Sequence, residues 1–346
     1  RISDMEAEGM PMITWIRHHN IPSEHLAELV GIVKYVGHKE VTLDRLIEWN
    51  LWYELGLAYW CAGILAVDTN GTVVHGRNLD SQVKFIARGR RMNLQDVTID
   101  VTFMRRGEPI FTSVGWVGQT GVTTGMTLRG WGQRPCCWSF QQNSRHKARA
   151  GPTNPTQNLV AAMAGGLPYA FVARTMMESD LTFSQAVDEV TSAHLMAPSY
   201  FVLAGSKPWE GAMLAQERVS TKVEKASLPH VQVLSPKINR WFIVQTNDDF
   251  WTEQEDSRRP EGISLMSSLG QQGVTTESVL TAMRTSPLFN EQTELTWLGI
   301  PSTGFHTSFL SSESLEVMGR SPQGAEGSLR RLQQLHRERG TLPAAP

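Results

Sequence analysis

Apolar residues recur at two different periods along the chain, and the change of period divides it. Upstream of residue 60 they fall every three to four positions, with Leu26, Leu29, Val30 and Val33 on one face and a second such stretch from Leu43 to Trp60. That is the spacing of amphipathic helices. From Cys61 onward the pattern becomes short β-branched runs separated by turns: 61–67, 73–80, 97–104 and, beyond the turn Arg105-Arg106-Gly107-Glu108, 109–114. Helical spacing returns at 157–178 and 183–193, the latter behind the capping residue Thr182, and strands resume at 200–204, 212–216, 231–234 and 241–246. Strands, then helices, then strands predict an α+β chain with two antiparallel sheets packed face to face between helical layers.

The first hairpin is the most specific local feature. Asn70-Gly71 lies between two β-branched runs, and a two-residue Asn-Gly turn tolerates the positive φ such a turn needs. That turn pairs Cys61 with Asp80. Strict alternation then puts Arg77 opposite Ile64 on the other face of the ribbon, so that it reaches Cys61 only through a bulge, for which Gly76 is suited.

Composition narrows the class. With 346 residues, 40% of them hydrophobic, and a net charge of -2, the chain buries a full core and carries no charge imbalance of the kind that binds nucleic acid. The three cysteines, Cys61 and the adjacent Cys136 and Cys137, provide no disulfide framework and no zinc-ligand spacing, so neither a metal nor a cofactor is expected. No run is long and apolar enough to span a bilayer. Asn70-Gly71-Thr72 matches a glycosylation acceptor, although the turn accounts for the same residues.

Cys61 is the candidate nucleophile. A thiol at the start of a strand that is freed by backbone cleavage becomes both nucleophile and N-terminal amine. Taken alone, a cysteine is more often a small buried hydrophobe, and Arg77 with Asp80 more often an exposed ion pair. The combination is what points to chemistry.

That combination, Cys61 followed by a strand and then His75-Gly76-Arg77-Asn78-Leu79-Asp80, resembles the start of the catalytic subunit in the acid ceramidase and N-acylethanolamine acid amidase family of N-terminal-nucleophile cysteine hydrolases. Glu48 to Leu55, 97–103, 118–126, Ala173-Arg174-Thr175, Ala197 to Phe201, Gln245-Thr246-Asn247 with Trp251, and Asp256-Ser257-Arg258-Arg259 follow in family order, so that the likeness spans roughly residues 25–295. It implies an αββα sandwich, self-cleavage between Trp60 and Cys61, and a helical α subunit over 1–60 paired with a catalytic β subunit over 61–300. It implies further that Cys61 attacks, Asp80 orients the new amine, Arg77 hydrogen-bonds at the nucleophile, Asn247 donates to the oxyanion and Arg258 lies near the site. The implied substrates are lipid amides, hydrolysed in the lysosome by way of a thioester. The implied setting includes a signal peptide ahead of Arg1 and contact with a membrane surface or lipid-presenting protein, to which Trp49, Trp52, Tyr53, Tyr59 and Trp60 are suited; packing of a helical layer explains those aromatics equally well.

The chain also departs from the family pattern. Ser144 stands where the family has the glutamate of Asn-Glu-Arg, Ser81 replaces an aromatic residue and Asp248 a tyrosine, and 127–140 differs in length and content. The closing strand expected after Thr296 is not recognisable, and 301–346 reads as loop, a short helix and tail. Three outcomes follow: an N-acylethanolamine amidase, a ceramidase, or a catalytically silent relative that keeps the site residues.

Overall fold

The computed structural model describes residues 12–56, 60–87, 89–128, 137–145, 154–218, 230–252 and 256–312. Three helices open it: α1 (Met12–His19), α2 (Ser23–Val36) and α3 (Leu43–Asn50). Gly37 ends α2 in the left-handed region, at φ 60°, with its N–H on the Val33 carbonyl. Thr42 starts α3 by accepting the Arg45 N–H on its hydroxyl. Leu29 is the fully buried member of the predicted stripe and packs with Ile16, Ile47 and Leu51.

The remainder is a sandwich of two antiparallel sheets. One has five strands in the order β12 (Phe242–Gln245), β1 (Trp60–Val67), β2 (Val73–Asp80), β13 (Thr293–Ile300), β14 (Phe305–Leu310). The other has seven, in the order β11 (His230–Val233), β10 (Gly211–Gln216), β9 (Ser199–Gly205), β8 (Trp138–Ser144), β7 (Thr124–Thr127), β6 (Glu108–Trp116), β5 (Thr98–Arg105). The sheets meet through Leu65, Val67 and Val73 on one side and Tyr200, Val202 and Met213 on the other. Helices α7 (Arg258–Leu269) and α8 (Thr276–Met283) cover the outer face of the five-stranded sheet through Met266, Val279 and Met283. Helices α4 (Pro155–Met163), α5 (Tyr169–Glu178) and α6 (Phe183–Ser192) lie on the other side, with Ala170, Met177, Ala186 and Val190 packed against Phe111, Phe201 and Leu214. Four layers in the order helix, sheet, sheet, helix result, as the strand and helix order predicts.

Several expectations need correction. The helix read over 157–178 is two helices, because Gly165 turns the chain at φ 93° and Pro168 precedes α5. The stretch after residue 300 is not all loop: β14 pairs with β13 from Leu295↔Leu310 to Ile300↔Phe305, and β13 pairs with β2. The five-stranded sheet therefore keeps its closing strands. Strand β8 escaped the sequence reading because it is polar, Trp-Ser-Phe-Gln-Gln-Asn-Ser, yet every residue in it is buried. A two-stranded ribbon, β3 (Lys84–Ala87) with β4 (Arg90–Asn93), was likewise unforeseen. Cys137 is disulfide-bonded, against the expectation of unbridged cysteines, and its partner lies outside the described residues. The tail beyond 312 and the segment 129–136 also lie outside them.

Candidate active site

The turn joining β1 and β2 sets the site. Asp68 accepts the Gly71 N–H on its carbonyl at 3.1 Å and the Thr72 N–H on Oδ1 at 2.7 Å, while its own N–H reaches the Thr72 carbonyl at 2.9 Å. Gly71 has φ 89°. The loop is thus one residue longer than the predicted Asn-Gly turn and closes with a left-handed glycine. The register slips by one, so that Cys61 faces Leu79, Gly63 faces Arg77, and Asp80 faces Trp60.

A slip of one residue exchanges the faces of a strand. Arg77 and Cys61 therefore lie on the same face with no bulge, and the Arg77 Nη2 donates to the Cys61 Sγ at 3.6 Å. Gly76 serves a different need: a Cβ there would sit 2.9 Å from the Met283 side chain of α8. Arg77 is fully buried, its Nη1 donating to the Thr123 carbonyl at 2.6 Å and to the Thr124 hydroxyl.

The other expected residues converge from different elements. Asp80 is fully buried and takes hydrogen bonds from Thr293 Oγ1 (2.8 Å), Asn290 Nδ2 (3.4 Å) and Arg258 Nη1 (2.8 Å). Asn247, just past β12, accepts the Cys61 N–H on Oδ1 at 2.9 Å and the Arg258 Nη2 at 2.7 Å. Its own Nδ2 donates to the Ser144 carbonyl at 2.8 Å. Arg258, in the first turn of α7, also reaches the Cys61 carbonyl with Nη1 at 3.4 Å, and its guanidinium carbon lies 5.4 Å from the centre of the Trp60 ring. All five expected residues meet within hydrogen-bonding reach of Cys61 or of one another.

Their electrostatics follow from burial. Loss of hydration pushes the Cys61 thiol above its ordinary value, against the pull of Arg77 and Arg258 and with the push of Asp80. In the intact chain the guanidinium does not overcome desolvation. Burial raises the Asp80 carboxyl to about 6, even though Arg258, Thr293 and Asn290 favour its charged form. His75 is held down to about 4 by burial, so its ring is neutral near pH 7, with Nδ1 2.8 Å from Ser139 Oγ and Nε2 3.0 Å from Gln141 Oε1.

Gln141 and Asn143 continue that polar layer between the sheets. Gln141 Nε2 donates to the Ala62 carbonyl at 3.2 Å, and Asn143 Nδ2 to the carbonyls of Gln245 (3.1 Å) and Thr246 (3.2 Å). Neither residue was singled out from sequence. The signal was present in the polar run of β8, which has no reason to be buried unless it meets polar backbone across the interface. Asp256 was noted only as part of a motif, although its side chain makes the most bonds to Arg258.

A cavity of about 360 Å³ opens beside the site, lined by Trp60, Gln82, Arg258, Pro287, Asn290 and Gln292. Cys61 itself is wholly buried, and Trp60 is 39% exposed above it. Trp52 and Tyr53 lie in the core, and Trp49 packs on Trp52 and donates to the Val117 carbonyl at 3.1 Å. Those aromatics pack a helical layer, whereas Tyr59 lies outside the described residues. Among the described residues no group of acidic, histidine or cysteine side chains is placed to hold a metal ion, and no helix is long and apolar enough to cross a membrane.

No protein-family model matches the chain. It is 28% identical over 281 residues to the N-acylethanolamine-hydrolyzing acid amidase of Caenorhabditis elegans, covering 79% of this chain and 72% of that one. It is 28% identical over 288 residues to mouse acid ceramidase (81% and 68% covered) and 27% over 290 residues to the human enzyme (81% and 68%). Among solved structures, the Caenorhabditis elegans N-acylethanolamine-hydrolyzing acid amidase ortholog superposes with a TM-score of 0.59 at 27% identity, over 72% of this chain and 99% of that one. In sequence and in fold the chain is similar to the acid ceramidase and N-acylethanolamine acid amidase family. Its sandwich is the fold of the N-terminal-nucleophile hydrolases, and the family is one of amide hydrolases.

Two of the departures from the family acquire a structural setting. At Ser144, where the family pattern has glutamate, the backbone carbonyl holds Asn247 and the side chain is buried. Asp248, in place of a tyrosine, accepts the Asp256 N–H on Oδ2 at 3.4 Å.

Proposed function

We propose that the chain is a precursor that cuts itself between Trp60 and Cys61 and then hydrolyses fatty-acyl amides such as N-acylethanolamines to a free fatty acid and an amine. The carrying observation is the Arg77 guanidinium on the Cys61 sulfur, with Asn247 and Arg258 on the Cys61 backbone and Asp80 bonded to Arg258. In the precursor the Cys61 thiolate attacks the Trp60 carbonyl, and the C–N bond breaks. The nitrogen keeps its proton and gains a second to become the α-amine, and water resolves the thioester to a Trp60 carboxylate and a free thiol. In turnover the substrate carbonyl takes the place of Trp60. The amine, with a reference pKa near 8, is the local base.

Asp80 and Asn247 then face that amine; a positive ammonium there lowers the Asp80 carboxyl from its raised value. Arg77 favours the thiolate. Once the amide of Asn247 is released from Ser144 it serves the oxyanion, a contribution of roughly 3 kcal/mol in comparable sites. Residues 1–60 form the small subunit and 61–300 the catalytic one; the site is lysosomal, with Asn70 glycosylated. Substrate arrives from a membrane surface or a lipid-presenting protein. Neither nucleic acid nor a cofactor takes part.

The second reading, hydrolysis of N-acylsphingosine, rests on the acid ceramidases among the relatives. A third, a catalytically silent relative, rests on Ser144. Intact-mass analysis after incubation at acid pH tests the proposal: a new N-terminus at Cys61 and turnover of N-palmitoylethanolamine, both lost in Cys61→Ala, are expected. An uncut chain at every pH overturns it, and faster turnover of a ceramide selects the second reading.

A further inference from the structure

Arg258 is the most connected side chain of the site, and its position is not explained by the residues it serves. Its Nη1 contacts Asp80 and the Cys61 carbonyl, and its Nη2 contacts Asn247. Each of those bonds uses one edge of the guanidinium that faces Cys61. The opposite edge is held by Asp256, whose Oδ1 and Oδ2 lie 3.0 and 2.9 Å from Nε and whose Oδ2 lies 2.6 Å from Nη2. Asp256 Oδ1 also accepts the Arg258 N–H at 2.9 Å, which ties the first turn of α7 to the same carboxylate.

A planar guanidinium gripped at Nε and one Nη has its remaining donors fixed in direction, which a lysine could not reproduce. Both side chains are nearly buried, Arg258 at 8% and Asp256 at 13% exposed, so the pair holds its geometry without competition from water. The Asp256 backbone is in turn tied to Asp248 through its N–H. That bond joins it to the loop carrying Asn247.

We propose that Asp256 is the positioning residue for the reaction: it aims Arg258, and through Arg258 it fixes Asp80, Asn247 and the Cys61 carbonyl in one arrangement. It touches neither the sulfur nor the scissile bond. The inference rests on the amidase reading above and adds a residue to it. Asp256→Asn keeps an acceptor of the same shape but removes the charge that holds the fork, and a misplacement of about 1 Å at such a site costs up to a hundredfold.

The test uses the full-length chain processed at acid pH, with kcat and KM for N-palmitoylethanolamine measured in Asp256→Asn, Asp256→Glu, Arg258→Lys and the double variant Asp256→Asn/Arg258→Lys. The expected result is a kcat at least tenfold lower in Asp256→Asn with KM within about threefold, substantial recovery in Asp256→Glu, and a double variant no slower than Arg258→Lys alone within about twofold. A purely structural Asp256 would multiply its loss onto that of Arg258→Lys, and that outcome overturns the proposal. So does an unchanged kcat in Asp256→Asn. Thermal melting of each variant identifies any that fails to fold, and the Asn and Glu pair then stands in for it. If Cys61→Ala leaves turnover intact, the amidase reading fails, whatever Asp256 does.

Discussion

The Glu54 carboxylate accepts the Tyr169 N–H on Oε1 at 2.9 Å, so the segment leading to Trp60 caps the first turn of α5 from 115 residues away. Its Oε2 is buried with no hydrogen-bond partner among the described residues. Burial lifts this carboxyl to about 7, against the opposing backbone hydrogen bonds.

A raised carboxyl means that the folded chain keeps a proton the unfolded chain has released. Stability from Glu54 is thus complete below the unfolded value near 4.5 and falls as pH rises to about 7. Glu54→Gln removes that slope. The prediction concerns the difference in unfolding free energy between variant and wild type, measured in urea from pH 5 to pH 8. It should shift in favour of the variant up to about pH 7 and then level off, by on the order of 3 kcal/mol at most. A difference independent of pH would show that Glu54 carries no trapped proton. His75, held down to about 4, works the other way: it costs stability as pH falls from its ordinary value near 6.5 through 4, in wild type and variant alike.

Arg77 is the group that pulls the Cys61 thiol down most strongly against burial. Arg77→Gln removes that pull and leaves the thiol higher still. The pH dependence of Cys61 alkylation by iodoacetamide in processed protein should therefore move to higher pH, with turnover reduced at least tenfold. An alkylation profile that does not move would remove Arg77 from the thiol's electrostatics and leave it a packing role beside Thr123.

The amino-terminal helices are clamped to α5 by charge. Arg174 binds Glu28 at 2.7 Å and Glu178 at 2.5 Å, Arg105 binds Glu24 and Glu178, and the His25 ring lies 3.3 Å from Glu178. Burial works to raise the Glu178 carboxyl, but His25 and Arg174 together bring it down to about 2. A depressed carboxylate gives stability that is complete above its unfolded value and lost as pH falls through the folded one. After cleavage the two segments should remain associated at pH 4.5 and separate only toward pH 2. In Glu178→Gln, size-exclusion chromatography at pH 4.5 should show more of the small segment released. Equal retention in variant and wild type would mean that apolar contacts alone, such as Ile16 and Leu29 with Phe171, hold the halves.

The sheets and most helices were legible because their apolar periods are strong, and the site was legible because its residues sit in short specific strings. What could not be read was where one residue more or less in a turn sends the faces of a ribbon. The Asp68 to Thr72 loop is such a case: Asn70-Gly71 looks complete as a turn, but the Asp68 side chain extends it and brings Arg77 rather than Asp80 onto the face of the thiol. The partners of β8 were hidden for a different reason. Gln141 and Asn143 bond each other, and beyond that Gln141 meets the His75 ring and the Ala62 carbonyl and Asn143 the carbonyls of Gln245 and Thr246, all far away in sequence, so the polar run of β8 signals burial without naming its partners.

Gly63 offers a direct probe of that polar layer. It stands opposite Arg77 and two residues from Cys61, and a Cβ placed on it would lie 2.6 Å from Gln141 Nε2. Gln141 cannot yield freely, since it is buried and bonded to His75 and to the Ala62 carbonyl. Gly63→Ala should therefore destabilise the fold by about 1–3 kcal/mol through overpacking, and should disturb Cys61 through the shifted strand. Gly63→Ala/Gln141→Ala clears the space but strands the His75 ring and the Ala62 carbonyl, so it should recover the overpacking loss and retain the loss of those hydrogen bonds. Urea unfolding of the two single variants and the double supplies the coupling energy, expected at 0.5 kcal/mol or more in the favourable direction for contacting residues, about the smallest such pairs show. Strict additivity would mean that β8 moves aside as a unit and that Gln141 does not set the distance between the sheets at the nucleophile.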